Sequence, residues 1–337
     1  MRAQLAAFLV LLALPAQAQD VRFFRLTGGD SAGSAFPVAA VIGAAISKPP
    51  GGRACDGGGT CGVPGLIAVT RSTTGSVQNI ELISRGEAEG GLAEADVVYE
   101  AFYGEGRFER LGAVDNLRTV ANLFPAAAHL VVRQDAGIAS VADLRGRRIS
   151  LGPTESSNRA HGMRVLAAFG LGNGDYFAEP DDLGSAADRL RDGAIDAMFV
   201  LAGYPVPAIQ DLARTTPLDL LPLVGPPISG LIRRSPVFDV AEIPIGTYPG
   251  VPGRRTVAIG MQLVVSAAVS PALVEAITRA LWNPRNRHLF ETGDADTHQI
   301  RPETALKGLN IPLHQGAAAY YLKVDAFRRG DETNGSE

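Results

Sequence analysis

A turn rich in glycine and hydroxyl side chains lies near the N-terminus, at residues 27–37. A short apolar run precedes it at residues 21–26, and a helix-like stretch follows at residues 38–46. A strand, a tight turn and a helix in this order direct the backbone N–H groups of the helix start toward an anion. The turn lacks the Lys-Ser/Thr ending of a phosphate-binding P-loop. The pattern therefore predicts capture of a small acid rather than nucleotide chemistry.

A second segment repeats this arrangement. Residues 148–151 form a short predicted strand, a turn follows at residues 152–158, and a helical pattern continues to residue 169. The N-terminus of a helix carries about half a positive charge. Two such units facing one cleft would hold an anion without a full cation, so both turns are candidate binding elements.

The sequence contains no motif that indicates catalysis or metal binding. The five histidines have no spacing typical of zinc ligands, and there is no Gly-x-Ser-x-Gly motif. Gly203, Tyr204 and Pro205 instead follow a predicted strand that ends at Leu201. They are placed at its carboxyl end, where open α/β sheets bind ligands. We expect a binding protein with no catalytic residues, no metal and no cofactor.

The first 18 residues have the features of a signal peptide. Arg2 provides the positive charge, residues 5–14 the apolar core, and residues 16–18 a small-residue cleavage site that ends at Ala18. The apolar core is too short to span a bilayer comfortably, which disfavours a membrane anchor. The sequence predicts export to the periplasm, with cleavage near Ala18.

Composition narrows the class of protein further. The formal net charge is −4 and no long basic block is present, so a nucleic-acid partner is not expected. Hydrophobic residues make up 46%, enough for a large core, whereas aromatic residues make up 6%, which argues against an aromatic-lined sugar groove. Roughly 300 residues follow the leader, more than one core usually serves, and this length suggests two lobes.

Two cysteines, Cys55 and Cys61, flank the glycine-rich residues 56–60. In an oxidising compartment such a pair is expected to form a small disulfide loop. A metal site would need more ligands, and no histidine lies nearby in the sequence. We therefore expect a structural disulfide.

Short apolar runs alternate with helical patterns along the chain, which predicts an α/β fold with a mostly parallel sheet and helices on both faces. Ser76 and Asp96 are each placed to cap a helix. Residues 225–253 are rich in Pro and Gly and are expected to form a crossover and loops. The tail after Arg328 is expected to be frayed.

Eight short segments, taken together and in their order, resemble one family. They are residues 29–37, 74–79, 95–99, 129–133, 143–152, 192–197, 245–250 and 312–317. The chain resembles the TAXI solute receptors, the extracytoplasmic binding proteins of one class of TRAP transporters.

The resemblance implies a periplasmic-binding-protein (Venus-flytrap) fold, with two α/β lobes and a hinge between them. Lobe 1 would comprise residues 19–125 and 226–330, lobe 2 residues 126–225, and residues 331–337 a flexible tail. Such a receptor binds a small anionic or zwitterionic ligand (a carboxylate, a 2-oxo acid or an amino acid) and delivers it to the TRAP membrane subunit.

The resemblance also selects residues in the first turn. Gly29 opens the matching run, and Ser31 and Ser34 stand where the family has threonines that face the ligand. Their hydroxyls can bind a carboxylate, or they can cap the next helix. Phe36 stands where the family often has Tyr, so the ring can line the site but a hydroxyl is lost.

Three further candidates lie between the first turn and residue 100. Asn79 can present its amide to the cleft or make a polar contact within its own helix start. Glu94 replaces a frequent Gln of the family, and its carboxylate suits a ligand with an amine or hydroxyl donor. Alternatively, Glu94 is protonated or lies outside the site. Tyr99 can reach the ligand or pack in the core.

In the second turn, Ser156, Ser157 and Asn158 replace part of the family's Gly-Ser-Gly-Thr run. Arg159 can hold a carboxylate, although an exposed helix-face charge is the favoured interpretation. Tyr248 lies in a Gly-Thr-Tyr-Pro turn and is expected to close the mouth of the site. Tyr204 is a candidate from its place after a strand.

Two functions remain at this point. The first is a periplasmic receptor whose closed state is favoured by a ligand that bridges both lobes. The alternative is a ligand sensor of the same fold that docks on a signalling receptor rather than on a permease.

Overall fold

The chain was analysed as a computed structural model, which describes residues 21–291 and 297–334. The predicted signal peptide lies outside the described residues. The strands are β1 (Arg22–Thr27), β2 (Ser47–Lys48), β3 (Val63–Pro64), β4 (Leu66–Arg71), β5 (Gly90–Glu94), β6 (Leu117–Arg133), β7 (Arg148–Ser150), β8 (Phe177–Glu179), β9 (Ala197–Ala202), β10 (Leu218–Leu220), β11 (Phe238–Ile243) and β12 (Arg254–Ser266). The helices are α1 (Ala35–Ile46), α2 (Ser76–Ser84), α3 (Ala95–Tyr103), α4 (Ser157–Ala168), α5 (Leu183–Arg191), α6 (Pro207–Thr215), α7 (Pro226–Arg234), α8 (Pro271–Leu281), α9 (Arg287–Glu291) and α10 (Gln315–Asn334).

Ten of these strands form one sheet, in the order β4-β1-β5-β12-β6-β9-β7-β8, with β10 paired to β6 and β11 to β12. The first flank, β4-β1-β5, is parallel, and so is the second flank, β9-β7-β8. The two middle strands run antiparallel to each other and to their neighbours. The α/β class expected from the sequence is confirmed, and the parallel pairing is confined to the flanks.

The middle strands join the flanks because β12 pairs with the first flank, β6 pairs with the second, and the two pair with each other. The β12 strand pairs with β5 of the first flank from Met261 onward, and its earlier residues pair with β11. The β6 strand pairs with β12 over most of its length and with β9 of the second flank from Ala127. The pair of middle strands therefore connects the two flanks within one sheet.

Helix starts follow the local sequence. The α4 helix begins after Ser156, whose Oγ accepts the backbone N–H of Arg159 at 3.2 Å. The α5 helix begins after Asp182, whose carboxylate accepts the N–H of Ser185 at 2.8 Å. The α6, α7 and α8 helices each have proline in the first turn, where no N–H is needed.

The prediction of loops over residues 225–253 is wrong in part. This region contains α7 and β11, because Gly225 and Pro226 mark a helix start rather than a break. At the C-terminus, α10 continues to Asn334, so the segment expected to be frayed after Arg328 is helical as far as that residue.

The disulfide between Cys55 and Cys61 is confirmed, with the two Cα atoms 4.8 Å apart. It closes a loop beside a short 3₁₀ helix, and Arg285 forms an ion pair with Asp56 in that loop. Within residues 21–291 and 297–334, no helix combines the length and the apolar character that crossing a bilayer requires.

Candidate functional site

A cavity of about 120 Å³ lies where the strands of both flanks end. Its walls come from the turn after β1, the end of β5, the turn after β7 and the last residues of β9. The carboxyl ends of parallel strands are where open α/β sheets bind ligands. The two turns that the sequence singled out thus face one cavity.

Three helix N-termini contribute residues to the lining of this cavity. The lining includes Ala35 at the start of α1, Gly75 and Ser76 at the start of α2, and Ser156 and Ser157 at the start of α4. The first N–H groups of a helix have no acceptor within the helix. Three such ends around one cavity favour a bound group with negative charge.

Ser34 is the N-cap residue of α1, but its side chain makes no capping hydrogen bond. The residue is 2% exposed and lines the cavity, and its Oγ has no hydrogen-bond partner among the described residues. A buried hydroxyl without a partner costs free energy. A ligand that bonds to Ser34 would remove that cost, so this hydroxyl is the strongest pointer to a polar ligand.

Glu94 lies at the end of β5, lines the cavity and is 6% exposed. Its carboxylate accepts a hydrogen bond from Ser76 Oγ and a second, at 3.3 Å, from Ser157 Oγ on α4. The N–H of Glu94 donates to Ser76 Oγ at 3.1 Å, so this serine is used in both directions. Burial raises the pKa of the Glu94 carboxyl.

Charge in the cavity is carried by acids. Asp30 and Asp181 also line it, and none of the described lining residues is Lys, Arg or His. Asp181 is neutralised by Arg189 at 2.6 Å, whereas the Asp30 carboxylate accepts the backbone N–H of Ala32 at 2.8 Å and has no ion pair among the described residues. Glu94 and Asp30 therefore face the helix N-termini without a cationic side chain in the lining.

Two asparagines tie the ends of neighbouring strands together. Asn79 Nδ2 donates to Gly28 O and Leu92 O, both at 2.7 Å, and its Oδ1 accepts from Thr73 at 2.6 Å. Asn79 makes all three of these bonds and has no exposed surface. It therefore supports the cavity wall but does not line the cavity.

Asn158 has the same role in the second flank, and it also lines the cavity. Its Nδ2 donates to Leu151 O and Phe199 O, both at 2.9 Å, and its Oδ1 accepts from Leu201 N at 2.8 Å. Its amide groups are thus largely occupied by backbone.

The structure brings part of the predicted site together. The predicted residues that line the cavity are Gly29, Ser34, Glu94, Ser156, Ser157 and Asn158. The predicted residues that do not line it are Ser31, Phe36, Asn79, Tyr99, Arg159, Gly203, Tyr204 and Tyr248.

Tyr248 does not close the mouth of the cavity, contrary to the expectation. Its ring is 1% exposed, and its hydroxyl accepts the N–H of Val206 and contacts Nε2 of His129, both at 2.9 Å. Burial raises the pKa of the Tyr248 phenol above its usual range. The Gly-Thr-Tyr-Pro turn therefore anchors a core tyrosine.

The remaining predicted residues away from the cavity have other surroundings. Tyr99 is 39% exposed and packs on Tyr103, with ring centroids 4.6 Å apart. Arg159 is half-buried, and Ser31 is exposed. Gly203 follows the lining strand, and a Cβ there would lie 3.2 Å from Ser34 Oγ and 2.7 Å from the Phe124 ring.

Two polar residues that were expected to cap helices have other partners in the structure. Ser76 is the first residue of α2 after the N-cap Gly75, and its hydroxyl serves Glu94. Asp96 lies inside the first turn of α3 and forms ion pairs instead of a cap. Asp30 and Asp181 also line the cavity but were not predicted to do so, because the sequence shows only that each lies in a turn.

The fold is α/β, with a cavity at the carboxyl ends of its strands. Residues 26–323 match the model of the NMT1-like family. This match spans most of the sequence, and the chain belongs to that family.

Several solved structures are similar to the chain at low identity. The periplasmic aliphatic sulphonate binding protein SsuA from Escherichia coli is 12% identical, covering 80% of this chain and 72% of that one, with a TM-score of 0.46. A zinc-bound ligand-binding component of an ABC-type import system from Staphylococcus aureus is 10% identical, over 93% and 92%, with a TM-score of 0.48. A TRAP periplasmic solute-binding protein from a Sulfitobacter species, with bound β-D-galacturonate, is 10% identical, over 92% and 96%, with a TM-score of 0.45.

Proposed function

We propose that this protein is a periplasmic solute-binding receptor of a TAXI-type TRAP transporter. It binds a small organic acid in the cavity between the flanks and delivers it to the membrane subunit. The observation that carries this proposal is the buried, unpartnered Ser34 hydroxyl in a cavity ringed by three helix N-termini. The order of eight family-like segments in the sequence supports the narrower TAXI assignment.

The ligand we propose is an amino acid or another small acid that also carries an amine. Its carboxylate would lie against the N-termini of α1, α2 and α4, where negative charge is favoured. Its ammonium would face Glu94 and Asp30. A dicarboxylate would instead bring a second negative charge toward these acids with no basic side chain among the described lining residues.

We also propose that the flanks are the cores of two lobes that close on the ligand. Lobe 1 contains α1, α2 and α3, and lobe 2 contains α4, α5 and α6. The second crossing between them is best placed inside β12 rather than at residue 225, because β11 pairs with the early residues of β12 (254–259) and β5 with later ones (261–265). Several contacts join the lobes, including Ala208 N–H to Ala32 O at 3.2 Å.

Export to the periplasm is part of the same proposal. It is supported by the leader pattern at residues 1–18 and by the disulfide, which suits an oxidising compartment. The partner is the TRAP membrane subunit, which would recognise the closed receptor.

The test is a thermal-shift screen of the mature protein, stripped of ligand by unfolding and refolding. The panel contains amino acids, 2-oxo acids and dicarboxylates. A ligand that binds only the native state raises the melting temperature by mass action, by an amount that grows with its concentration over Kd. We expect shifts from amino acids, with the ligand recovered unchanged. Conversion of the ligand, or no shift across the panel, contradicts the receptor function.

A further inference from the structure

One face of α4 crosses the cleft beside the cavity. Ser157, His161 and Arg164 recur at i, i+4 and i+7, a spacing that places them on one side of a helix. We call these three residues the α4 stripe. Three acids of the first flank face the stripe: Glu94, Asp96 and Glu100.

Each residue of the α4 stripe contacts an acid across the cleft. Ser157 Oγ lies 3.3 Å from Glu94 Oε1, and His161 Nε2 lies 2.7 Å from Asp96 Oδ2. Arg164 reaches Asp96 Oδ2 at 3.6 Å and Glu100 Oε1 at 3.9 Å. The contacts thus run from the buried cavity wall to the partly exposed Arg164.

The central pair is the most deeply buried part of this contact. His161 has no exposed surface, and the Asp96 side chain is 5% exposed. Burial alone would raise the pKa of the Asp96 carboxyl, but the His161 imidazole and the Arg107 guanidinium hold it well below its usual range. Asp96 is therefore a charged acceptor in the folded protein.

The first flank already provides Asp96 with a partner of its own. Arg107 lies 2.7 Å from Asp96 and 2.6 Å from Glu100. If the lobes separate, these two pairs persist and only the bonds to the α4 stripe are lost. Opening therefore does not strand an unpaired buried carboxylate, which makes the movement reversible.

The network is also incompletely bonded. Asp96 Oδ1, Arg107 Nη1 and His161 Nδ1 are buried and have no hydrogen-bond partner among the described residues. A partly satisfied buried network stabilises a structure less than a complete one. Such a contact suits a position that must form and break rather than a permanent core.

We propose that the α4 stripe and its facing acids form a latch that holds the two lobes closed, with His161 and Asp96 as positioning residues. They set the ratio of closed to open protein without touching the ligand, since neither lines the cavity. The latch presupposes the two-lobe movement proposed above. Hydrogen bonds to charged groups of this kind change an equilibrium by roughly tenfold to a hundredfold.

Spin-label distances on ligand-free protein test the latch directly. Ala40 on α1 and Ala167 on α4 are exposed, and one cysteine at each, Ala40→Cys and Ala167→Cys, provides a label on either lobe. The native cysteines are paired and do not compete for the label. Wild-type protein should give a short distance. His161→Leu should lose most of that short-distance population in favour of a longer one.

His161→Gln is the matched control, because its amide can donate to Asp96 from a position close to that of Nε2. It should restore the short distance, which a role in packing alone would not predict. Arg164→Ala, at the partly exposed end of the stripe, should open the protein to a smaller degree, and it serves if His161→Leu does not fold.

A long label-to-label distance in the wild-type protein would overturn the latch. So would an unchanged distance in a folded His161→Leu variant. If His161→Leu does not fold, an unchanged distance in Arg164→Ala would overturn it. Because no ligand is present, these results are independent of the thermal-shift screen. A latch that opens as expected in a protein that binds nothing on the panel would leave the latch standing and remove the receptor function.

Discussion

At the scale of single residues, Ser34 separates ligand binding from folding. Because its buried hydroxyl has no partner among the described residues, its removal should not weaken the folded state. Ser34→Ala should leave the melting temperature unchanged or raise it, and should weaken ligand binding about tenfold through the loss of one hydrogen bond. Calorimetric titration with the screened ligand measures the second effect.

Ser47 provides a matched control for Ser34. Its hydroxyl donates to Gly43 O at 2.6 Å and accepts from Ala68 N at 2.8 Å, away from the cavity. Ser47→Ala should therefore lower the melting temperature and leave the affinity unchanged. A Ser34→Ala variant that is destabilised in the same way, with wild-type affinity, would mean that Ser34 is structural.

Glu94 should make binding dependent on pH. Burial raises the pKa of its carboxyl, so the group takes up a proton at a higher pH than an exposed glutamate does. As the pH falls through that raised pKa, the negative charge that faces the ligand ammonium disappears. The affinity for an amine-bearing ligand should therefore fall on the acid side, beginning above the ordinary glutamate range of about 4.3.

The check is calorimetric titration between pH 5 and pH 8 with wild type and with Glu94→Gln, whose amide does not titrate. The wild-type affinity should decrease toward low pH, and the variant should bind more weakly with little change over the range. Parallel pH profiles for the two proteins would exclude Glu94 as the ammonium partner.

His129 should make stability dependent on pH. Burial lowers the pKa of its imidazole to about 4, while a histidine in the unfolded chain titrates near 6.5. Between these values the unfolded chain binds a proton that the folded protein does not. The free energy of unfolding should therefore fall as the pH falls from about 6.5 to 4, by about 3 kcal/mol in total.

Urea unfolding at pH 4.5 and pH 7.5 measures this loss. His129→Gln should reduce the difference between the two pH values, whereas His288→Gln, at an exposed site, should not. An unchanged difference in His129→Gln would mean that another group is responsible for the acid sensitivity.

At the scale of elements, Asn79 shows how a wall is held in place. Its amide, on α2, bonds to Gly28 in the turn after β1, to Leu92 in the middle of β5 and to Thr73 in the loop before α2. Asn79→Ala should lower the free energy of unfolding by about 2–4 kcal/mol, since buried acceptors are left without donors. Gln78→Ala, which removes bonds to the exposed Thr74, should cost much less.

Urea denaturation compares the two variants. An Asn79→Ala protein with wild-type stability and weakened ligand binding would restore the view from the sequence, in which Asn79 contacts the ligand.

The sequence predicted the elements better than the side chains on them. Both Gly/Ser turns were identified because a turn between an apolar run and a helix leaves a local signal. Glu94 was identified from the family resemblance, because it replaces a frequent Gln. Tyr248 was misplaced because nothing local shows that its ring packs under Val206 and beside His129, far away in the sequence.

The α7 helix was missed for a related reason. Its Gly and Pro residues are compatible with either a loop or a helix start, and only the packing of the folded chain distinguishes the two. Likewise, the stripe of Ser157, His161 and Arg164 is visible in the sequence as a helical spacing. The latch proposed for it depends on acids that lie more than 60 residues earlier in the chain.

At the scale of the whole molecule, the long strands β6 and β12 connect the two flanks, since β12 pairs with β5, β6 pairs with β9, and the two pair with each other. The proposed closure would therefore have to bend these strands. The latch on α4 and the ligand would act together, one beside the cavity and one within it.

The measurement that tests the central claim most directly is calorimetric titration with matched pairs that share a carbon skeleton, such as L-glutamate with 2-oxoglutarate and L-alanine with pyruvate. Each pair differs at C2, where a keto oxygen replaces the ammonium group that should face Glu94 and Asp30. We expect measurable affinity for at least one amino acid and at least tenfold weaker binding of its 2-oxo partner. Equal or tighter binding of the 2-oxo acids would contradict an amine-selective receptor.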